Sequence, residues 1–305
     1  MKWRPAMNNV SDEHEYTTYP RRFITYKWFR PLIVLALFAV FFVAFNLLAS
    51  VISRLVFGAG AVTETAGYDG RDFYTAAGAF KNGSEAFSYI PSLLLAALIV
   101  KDRPLSSYFS SMGGWRWKSF LKAFAAAFVI LGIPTIVSIL IKEQAGPVKF
   151  TAGGFLIMAV MVLFQGLAEE MIYRGFITQT VSSWFNMAIP GIAVQIVFFT
   201  FVHPYNLVGR VEIAVSALLY SLCCVFTRGL EAPTAMHIVN NSTVIFMTGF
   251  GFGVISSEQT IPSVALNLAL KVLFLLFILY ASKKWHWFDE TKRDDAAEWN
   301  AKMTK

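Results

Sequence analysis

Charged residues are scarce in this chain of 305 residues, and cysteines are almost absent. Asp, Glu, Lys and Arg make up 15% of the sequence, whereas a soluble domain carries about 25%. The only two cysteines, Cys223 and Cys224, are neighbours in an apolar run, which argues against a structural disulfide or a cysteine-based zinc site. The apolar runs do not alternate with polar residues, which excludes the strand pattern of a transmembrane barrel.

Long uncharged apolar segments are what the sequence does contain. Apolar residues make up 56% of the chain and its mean hydropathy is +0.55. We count eight segments, of which most are long enough to span a bilayer as helices. The sequence therefore predicts an all-α, polytopic membrane bundle of about eight transmembrane helices. The segments are Pro31–Phe57, Ala86–Val100, Phe120–Ile141, Phe150–Ala168, Ala188–Val202, Val211–Thr227, Ala232–Ile255 and Val264–Ser282.

The net charge of +7 lies in tails and connecting segments rather than in one basic face. This distribution is typical of Lys and Arg that hold cytoplasmic segments inside, so no nucleic-acid partner is expected. The first 30 residues have no apolar core of a signal peptide. We therefore expect a multi-pass protein of the cell membrane, if the source is bacterial, with both termini in the cytoplasm.

The pattern divides the chain into five parts. A polar N-terminal tail precedes the first transmembrane helices, a core carries the candidate chemistry, and one more helix leads to a charged tail that we expect to be partly disordered. These parts are residues 1–30, 31–119, 120–255, 256–282 and 283–305.

The stretch LAEEMIYRG places three charges directly after an apolar run. Glu170 and Arg174 are four residues apart and share one helical face, so we expect an ion pair. Glu169 points about 100° away and has no local partner in the sequence. Because ionisable residues inside a membrane are rare and usually functional, Glu169 is a candidate general base.

Two histidines also lie in apolar segments predicted to be helical. His203 ends the stretch FTFVH, and His237 begins HIVNN, with Asn241 one turn further on. The other two histidines, His14 and His286, lie in the polar tails. One buried histidine is more often structural, but two of them with an asparagine favour a functional site, since unused buried polar groups cost stability.

A helical hairpin would bring the first of these histidines to Glu169. If the chain turns near 182–186, Glu169 and His203 each lie roughly 25 Å from the turn, at ~1.5 Å per residue. We therefore expect the two side chains at the same depth in the membrane.

Two chemistries fit these residues. Glu169, His203 and His237 form a donor set that is compatible with zinc. Alternatively no cofactor is required: Glu169 and His203 activate water, while His237 and Asn241 stabilise the developing oxyanion.

The three motifs resemble those of the CPBP intramembrane proteases, the type II CAAX prenyl protease and bacteriocin-processing family, also called Abi. EEMIYR fits E-E-x-x-x-R, FTFVH fits F-x-x-x-H and HIVNN fits H-x-x-x-N, over roughly residues 120–255. The resemblance implies an eight-helix membrane protein that hydrolyses peptide bonds in or near the bilayer. It also implies that Glu169 activates water with His203, and that His237 and Asn241 form the oxyanion site. Glu170 and Arg174 are then supporting residues.

We therefore predict an intramembrane endopeptidase, of glutamate or metallo type, acting on membrane-associated peptides or proteins, with the lipid bilayer as its other partner. Two alternatives remain. One is a proton-coupled transporter, because intramembrane Glu and His also serve proton relays. The other is a non-catalytic immunity or scaffold protein.

Overall fold

The chain is a bundle of α-helices in the computed structural model, which describes residues 15–62 and 72–305. Two π-helical segments, Phe128–Gly132 and Met171–Thr178, interrupt longer helices. No strand occurs in the described ranges. The β-type pairs found there are isolated bridges, which join Ser110 to Gly229 and Ala145 to Phe252. The helices are α1 (Arg30–Phe57), α2 (Ala76–Val100), α3 (Ser106–Phe109), α4 (Trp117–Ala127), α5 (Ile133–Lys142), α6 (Ala152–Glu170), α7 (Gln179–Phe185), α8 (Ala188–Phe201), α9 (Leu207–Thr227), α10 (Glu231–Gly249), α11 (Ile261–Trp285) and α12 (Asp295–Met303).

The predicted all-α membrane class is confirmed, and each of the eight predicted segments is largely helical. Six helical stretches among the described residues are long and apolar enough to cross a membrane, and α8 is apolar but shorter. The count of eight is thus approximate. Helix α10 is the remaining segment, and it is not among the six.

Helix α10 is the central helix of the bundle, and this position explains its more polar sequence. It packs against α4, α6 and α9, and every residue from Glu231 to Val239 is buried. A helix enclosed by other helices does not face the lipid. It can therefore carry polar side chains, because these can hydrogen-bond or pair with one another. The candidate residues His237 and Asn241 lie on this helix.

The two cysteines, Cys223 and Cys224, are on α9. Both are free thiols, and their exposed fractions are 0% and 2%. They lie in the packed interior beside α10, so they behave as small apolar side chains.

The charged tail after residue 282 is more ordered than its sequence predicts. Helix α12 forms there, and its first turn is capped by the side chain of Asp294. Ala296 packs with Tyr19 and Phe23 of the N-terminal segment, and Trp299 donates to the hydroxyl of Thr25. Helix α12 therefore packs on the N-terminal segment through its first turn and Trp299, while most of its other residues are exposed.

Candidate active site

The two glutamates close α6, and the backbone changes its winding directly after them. Glu170 is the last residue of α6, and the π-helical segment begins at Met171. Arg174 Nη1 lies 3.1 Å from Glu170 Oε1, and neither side chain is exposed. The predicted ion pair is therefore present, inside a π-helical turn of the kind often found at functional sites.

Glu170 also contacts the central helix. Its Oε1 lies 2.8 Å from Nδ1 of His237, across 67 positions of sequence. Gly166, one turn earlier on α6, allows this approach: a Cβ there would lie 2.6 Å from Cγ1 of Ile238 and 3.2 Å from its backbone nitrogen. The absence of a side chain at Gly166 therefore lets α6 and α10 pack closely at the level of the site.

Glu169 lies next to one residue of its own helix and to one residue of α10. Gln165 Nε2 donates to Glu169 Oε1 at 3.3 Å, and His237 Nε2 lies 3.6 Å from Glu169 Oε2. The second distance is too long for a direct hydrogen bond, and Oε2 is buried without a hydrogen-bond partner in the described part of the chain. Glu169 was expected to have no local partner. This is wrong for its Oε1 atom, which accepts from Gln165, and correct for its Oε2 atom.

Aromatic rings enclose Arg174, the cation of the candidate site. The guanidinium carbon of Arg174 lies 4.7 Å from the ring centroid of Phe199 and 5.1 Å from that of Tyr220. Its Nη2 donates to the carbonyl of Ala217 at 3.1 Å. Tyr220 also stacks on His237, with ring centroids 5.2 Å apart. Cation–π contacts of this kind are stronger when water is excluded.

Gln165 and Tyr220 were not among the residues singled out from the sequence. Gln165 is four residues before Glu169, and this spacing could have identified it as a helical neighbour. Nothing in the sequence links Tyr220 to the motifs, because it reaches the site from α9 through tertiary packing alone.

His203 does not lie on a helix, contrary to the prediction. Helix α8 ends at Phe201, and His203 is in the turn that follows. Its Nδ1 donates to the carbonyl of Phe199 at 2.6 Å, so Nε2 of the neutral ring is the nitrogen left to accept a proton. The ring of Phe199 lies between the two histidines: its centroid is 4.6 Å from that of His203 and 6.2 Å from that of His237.

The hairpin itself turns where the spacing predicts. Helix α7 ends at Phe185, and Asn186 adopts the left-handed conformation that closes the turn. A Cβ at Gly191 would lie 2.1 Å from the hydroxyl oxygen of Ser182. The two arms of the hairpin therefore pack closely just beyond the turn.

Asn241 lies one turn after His237, is half-buried, and contacts its neighbour in sequence. Asn240 Nδ2 donates to Asn241 Oδ1 at 3.0 Å. No hydrogen bond within the described ranges engages Nδ2 of Asn241, which leaves this group available as a donor.

The zinc alternative requires that Glu169, His203 and His237 converge on one ion. No group of three His, Cys, Asp or Glu side chains in residues 15–62 and 72–305 is placed to hold a metal ion. The Nδ1 atoms of His203 and His237 are engaged by Phe199 and Glu170. Both histidines keep Nε2 for other partners, which is also the usual arrangement of a histidine that binds zinc.

Buried carboxylates, histidines and an arginine inside a bundle of membrane helices define an integral membrane protein with a polar intramembrane site. Residues 151–243 match the model of the Rce1-like family, type II CAAX prenyl endopeptidase Rce1-like. The matched segment covers less than half of the chain and includes every candidate residue, so the resemblance drawn from the motifs is confirmed there. The match supports a membrane-embedded peptidase of this general type. Neither a curated protein nor a solved structure was matched.

Proposed function

We propose that the protein is a glutamate-dependent intramembrane endopeptidase that needs no metal. Glu169 takes a proton from water with the help of His203, and the resulting hydroxide attacks the carbonyl carbon of a peptide bond. His237 and Asn241 donate to the oxygen that becomes negative. Collapse of this intermediate releases the amine, which receives the proton, and the new carboxyl group.

The observation that carries the proposal is the unsatisfied Oε2 of Glu169. This atom is buried and has no hydrogen-bond partner in the described part of the chain, although the Glu169 side chain as a whole is 14% exposed. A buried acceptor without a partner costs about 1–3 kcal/mol. A water beside Oε2 would satisfy it, and that water would be in position for deprotonation.

The neighbouring charges support a base at Glu169 rather than at Glu170. Glu170 is fully buried, and its Oε1 pairs with Arg174 and His237. Its Oε2 also has no hydrogen-bond partner in the described part of the chain, but a proton taken up there would remove the charge that balances Arg174. Glu169 is held at Oε1 alone, by the neutral amide of Gln165. A proton accepted at Oε2 of Glu169 therefore leaves the buried Glu170–Arg174 ion pair intact.

The histidines have separate tasks on this proposal. Nε2 of His203 is free to pass a proton, because Nδ1 is fixed by the Phe199 carbonyl. His237 is held at Nδ1 by Glu170, which turns Nε2 towards Glu169. Because Nδ1 already donates to Glu170, Nε2 can donate only when the ring carries both protons. On this proposal that form of His237, together with the amide of Asn241, stabilises the oxyanion, a contribution worth about 3–4 kcal/mol per donor.

The test is cleavage of peptides by the purified protein in proteoliposomes. The probes are a fluorogenic peptide that ends in a prenylated CAAX sequence, its non-prenylated counterpart, and a mixed peptide library read by mass spectrometry. We expect cleavage by the wild type and at least a ~10³-fold loss in Glu169→Gln, since removal of one group of a catalytic unit costs this much or more.

Glu85→Gln is the control. Glu85 is an exposed carboxylate on α2, and it makes no ion pair or side-chain hydrogen bond within the described ranges. Activity is divided by the amount of folded protein, which is determined by thermal unfolding. Glu169→Gln with wild-type turnover would reject the proposed base, and equal losses in both variants would point to misfolding.

We further propose that both termini lie in the cytoplasm. This follows from the basic segment 101–118, which carries four Lys or Arg and one acidic residue. The N- and C-terminal segments contact each other, so they lie on one side. A reporter active only in the cytoplasm, fused after residue 305, should be active; a silent reporter with normal expression would reverse the orientation.

A further inference from the structure

A line of three asparagine side chains runs from α11 to the candidate site. Asn267 Nδ2 donates to Asn240 Oδ1 at 3.0 Å, and Asn240 Nδ2 donates to Asn241 Oδ1 at 3.0 Å. The middle amide, Asn240, therefore accepts from Asn267 and donates to Asn241. Asparagine is unfavourable within an apolar span such as α11, where its presence usually reflects a specific contact.

The direction of these hydrogen bonds decides which end of Asn241 is available. Because the oxygen of Asn241 accepts from Asn240, its nitrogen is left to face other partners. The reverse order would leave the oxygen, and an acceptor there would repel a developing oxyanion. Three amides aligned head to tail also polarise one another, which strengthens the last donor.

The far end of the line lies beside a small cavity. Asn240, Asn267, Thr135 and Thr243 contribute polar groups to its lining, and its volume of about 10 Å³ is roughly that of one water. Oδ1 of Asn267 is buried without a hydrogen-bond partner in residues 15–62 and 72–305. A water in the cavity would satisfy this oxygen and hold the Asn267 amide with its nitrogen towards Asn240.

We propose that Asn267 and Asn240 are positioning residues that orient the amide of Asn241, so that its nitrogen is presented as an oxyanion donor. The inference rests on the function proposed above, because it assigns Asn241 to the oxyanion. It adds that a residue on the last membrane-spanning helix, outside the matched segment, controls the geometry of that donor.

The test is a double-variant cycle with Asn267→Leu and Asn241→Ala, on the prenylated fluorogenic peptide. Asn267→Leu keeps the size of the side chain and can neither donate nor accept. We expect kcat to fall on the order of 10-fold to 100-fold, less than the ~10²–10³ lost when an oxyanion donor is removed outright. KM should stay within about twofold, since the interaction forms only in the transition state.

The cycle separates positioning from a structural role. If Asn267 acts through Asn241, Asn267→Leu lowers kcat no further in the Asn241→Ala background. Independent losses that multiply would overturn the proposal, as would wild-type kcat in Asn267→Leu. Asn46→Leu is the control, because Asn46 bonds only a backbone carbonyl on α1, at Phe42, and it should leave kcat unchanged.

A second measurement, on the wild type, the two single variants and the double variant, does not depend on enzyme activity. Their melting temperatures form a thermal cycle, in which a hydrogen-bonded line predicts a smaller loss for the double variant than the sum of the single losses. Additive losses would overturn the line of amides even if no peptide is cleaved. Absence of cleavage by the wild type, with coupling present, would instead count against the proposed peptidase.

Discussion

Oε1 of Glu170 lies 2.8 Å from Nδ1 of His237 and joins the end of α6 to the central helix. The same oxygen lies 3.1 Å from Nη1 of Arg174. One carboxylate oxygen therefore orients the histidine and balances the buried arginine. This contact fixes the distance between the two helices that carry Glu169 and Asn241, so it determines the geometry of the whole site.

Replacement of Glu170 should damage both stability and activity. Glu170→Gln leaves Arg174 as an uncompensated buried cation, and breaking a buried pair in this way costs about 3–5 kcal/mol. The measurement is thermal unfolding in detergent, combined with cleavage per folded molecule. A variant with the melting temperature of the wild type would contradict the role of Glu170 as the anchor of Arg174.

The close approach of α6 and α10 gives a second prediction. In Gly166→Ala, the added Cβ would lie 2.6 Å from Cγ1 of Ile238, so the helices must separate. Overpacking of this kind costs about 1–3 kcal/mol, and we expect kcat to fall because Glu170 and His237 move apart. Circular dichroism and cleavage assays measure the two effects.

Gly60→Ala is the control for this change, since a Cβ at Gly60 meets no atom within 4 Å. Ile238→Ala removes the nearest clashing atom, and the double variant should lose less stability than the two single losses combined. Gly166→Ala with wild-type stability and turnover would show that α6 and α10 accommodate a methyl group at this position, and it would contradict the prediction.

A buried ion pair away from the site gives a third prediction, which concerns stability alone. Arg116 contacts Glu231 at 2.7 Å and donates to the carbonyls of Thr227 and Phe288, with both charged side chains fully buried. Arg116→Met should lower the free energy of unfolding by about 3–5 kcal/mol. Arg116→Met with Glu231→Met should recover part of this loss, because no charge is then left unpaired; a double variant less stable than Arg116→Met would contradict this explanation.

Removal of metal ions gives the fourth prediction. Because the three predicted zinc ligands do not come together as a metal-binding group, peptide cleavage should be unchanged after dialysis against a zinc chelator. The control is a zinc peptidase treated in the same way, which should lose activity. Loss of cleavage that added Zn²⁺ restores would make Glu169, His203 and His237 ligands and would reject the metal-free mechanism.

The parts of the fold that depend on local sequence were predictable. Long apolar runs indicate helices because every backbone polar group must be satisfied within a membrane. The spacing of Glu170 and Arg174 predicts their contact, and the turn at Asn186 follows from the polar stretch between two apolar segments. These features depend on residues close together in the chain.

The parts that depend on tertiary packing were not predictable. Tyr220 gave no signal because it reaches the site from α9 through packing alone, whereas the spacing of Gln165 to Glu169 could have identified that residue. The predicted segment ends at Val202, one residue after the observed end of α8; the error was to place His203 on that helix. Helix α12 was missed because its partner surface is near the other end of the chain. The five-part division and the roles of the site residues remain predictions.

The burial of both cysteines has a practical consequence for spectroscopy. Since Cys223 and Cys224 are at most 2% exposed and the sequence contains no other thiol, the wild-type protein already serves as a background with little accessible sulfur. A cysteine introduced at an exposed position, such as Trp28 or Lys305, would react selectively with a spin label or fluorophore. Pairs of such labels would report helix movements during turnover without prior removal of the native cysteines.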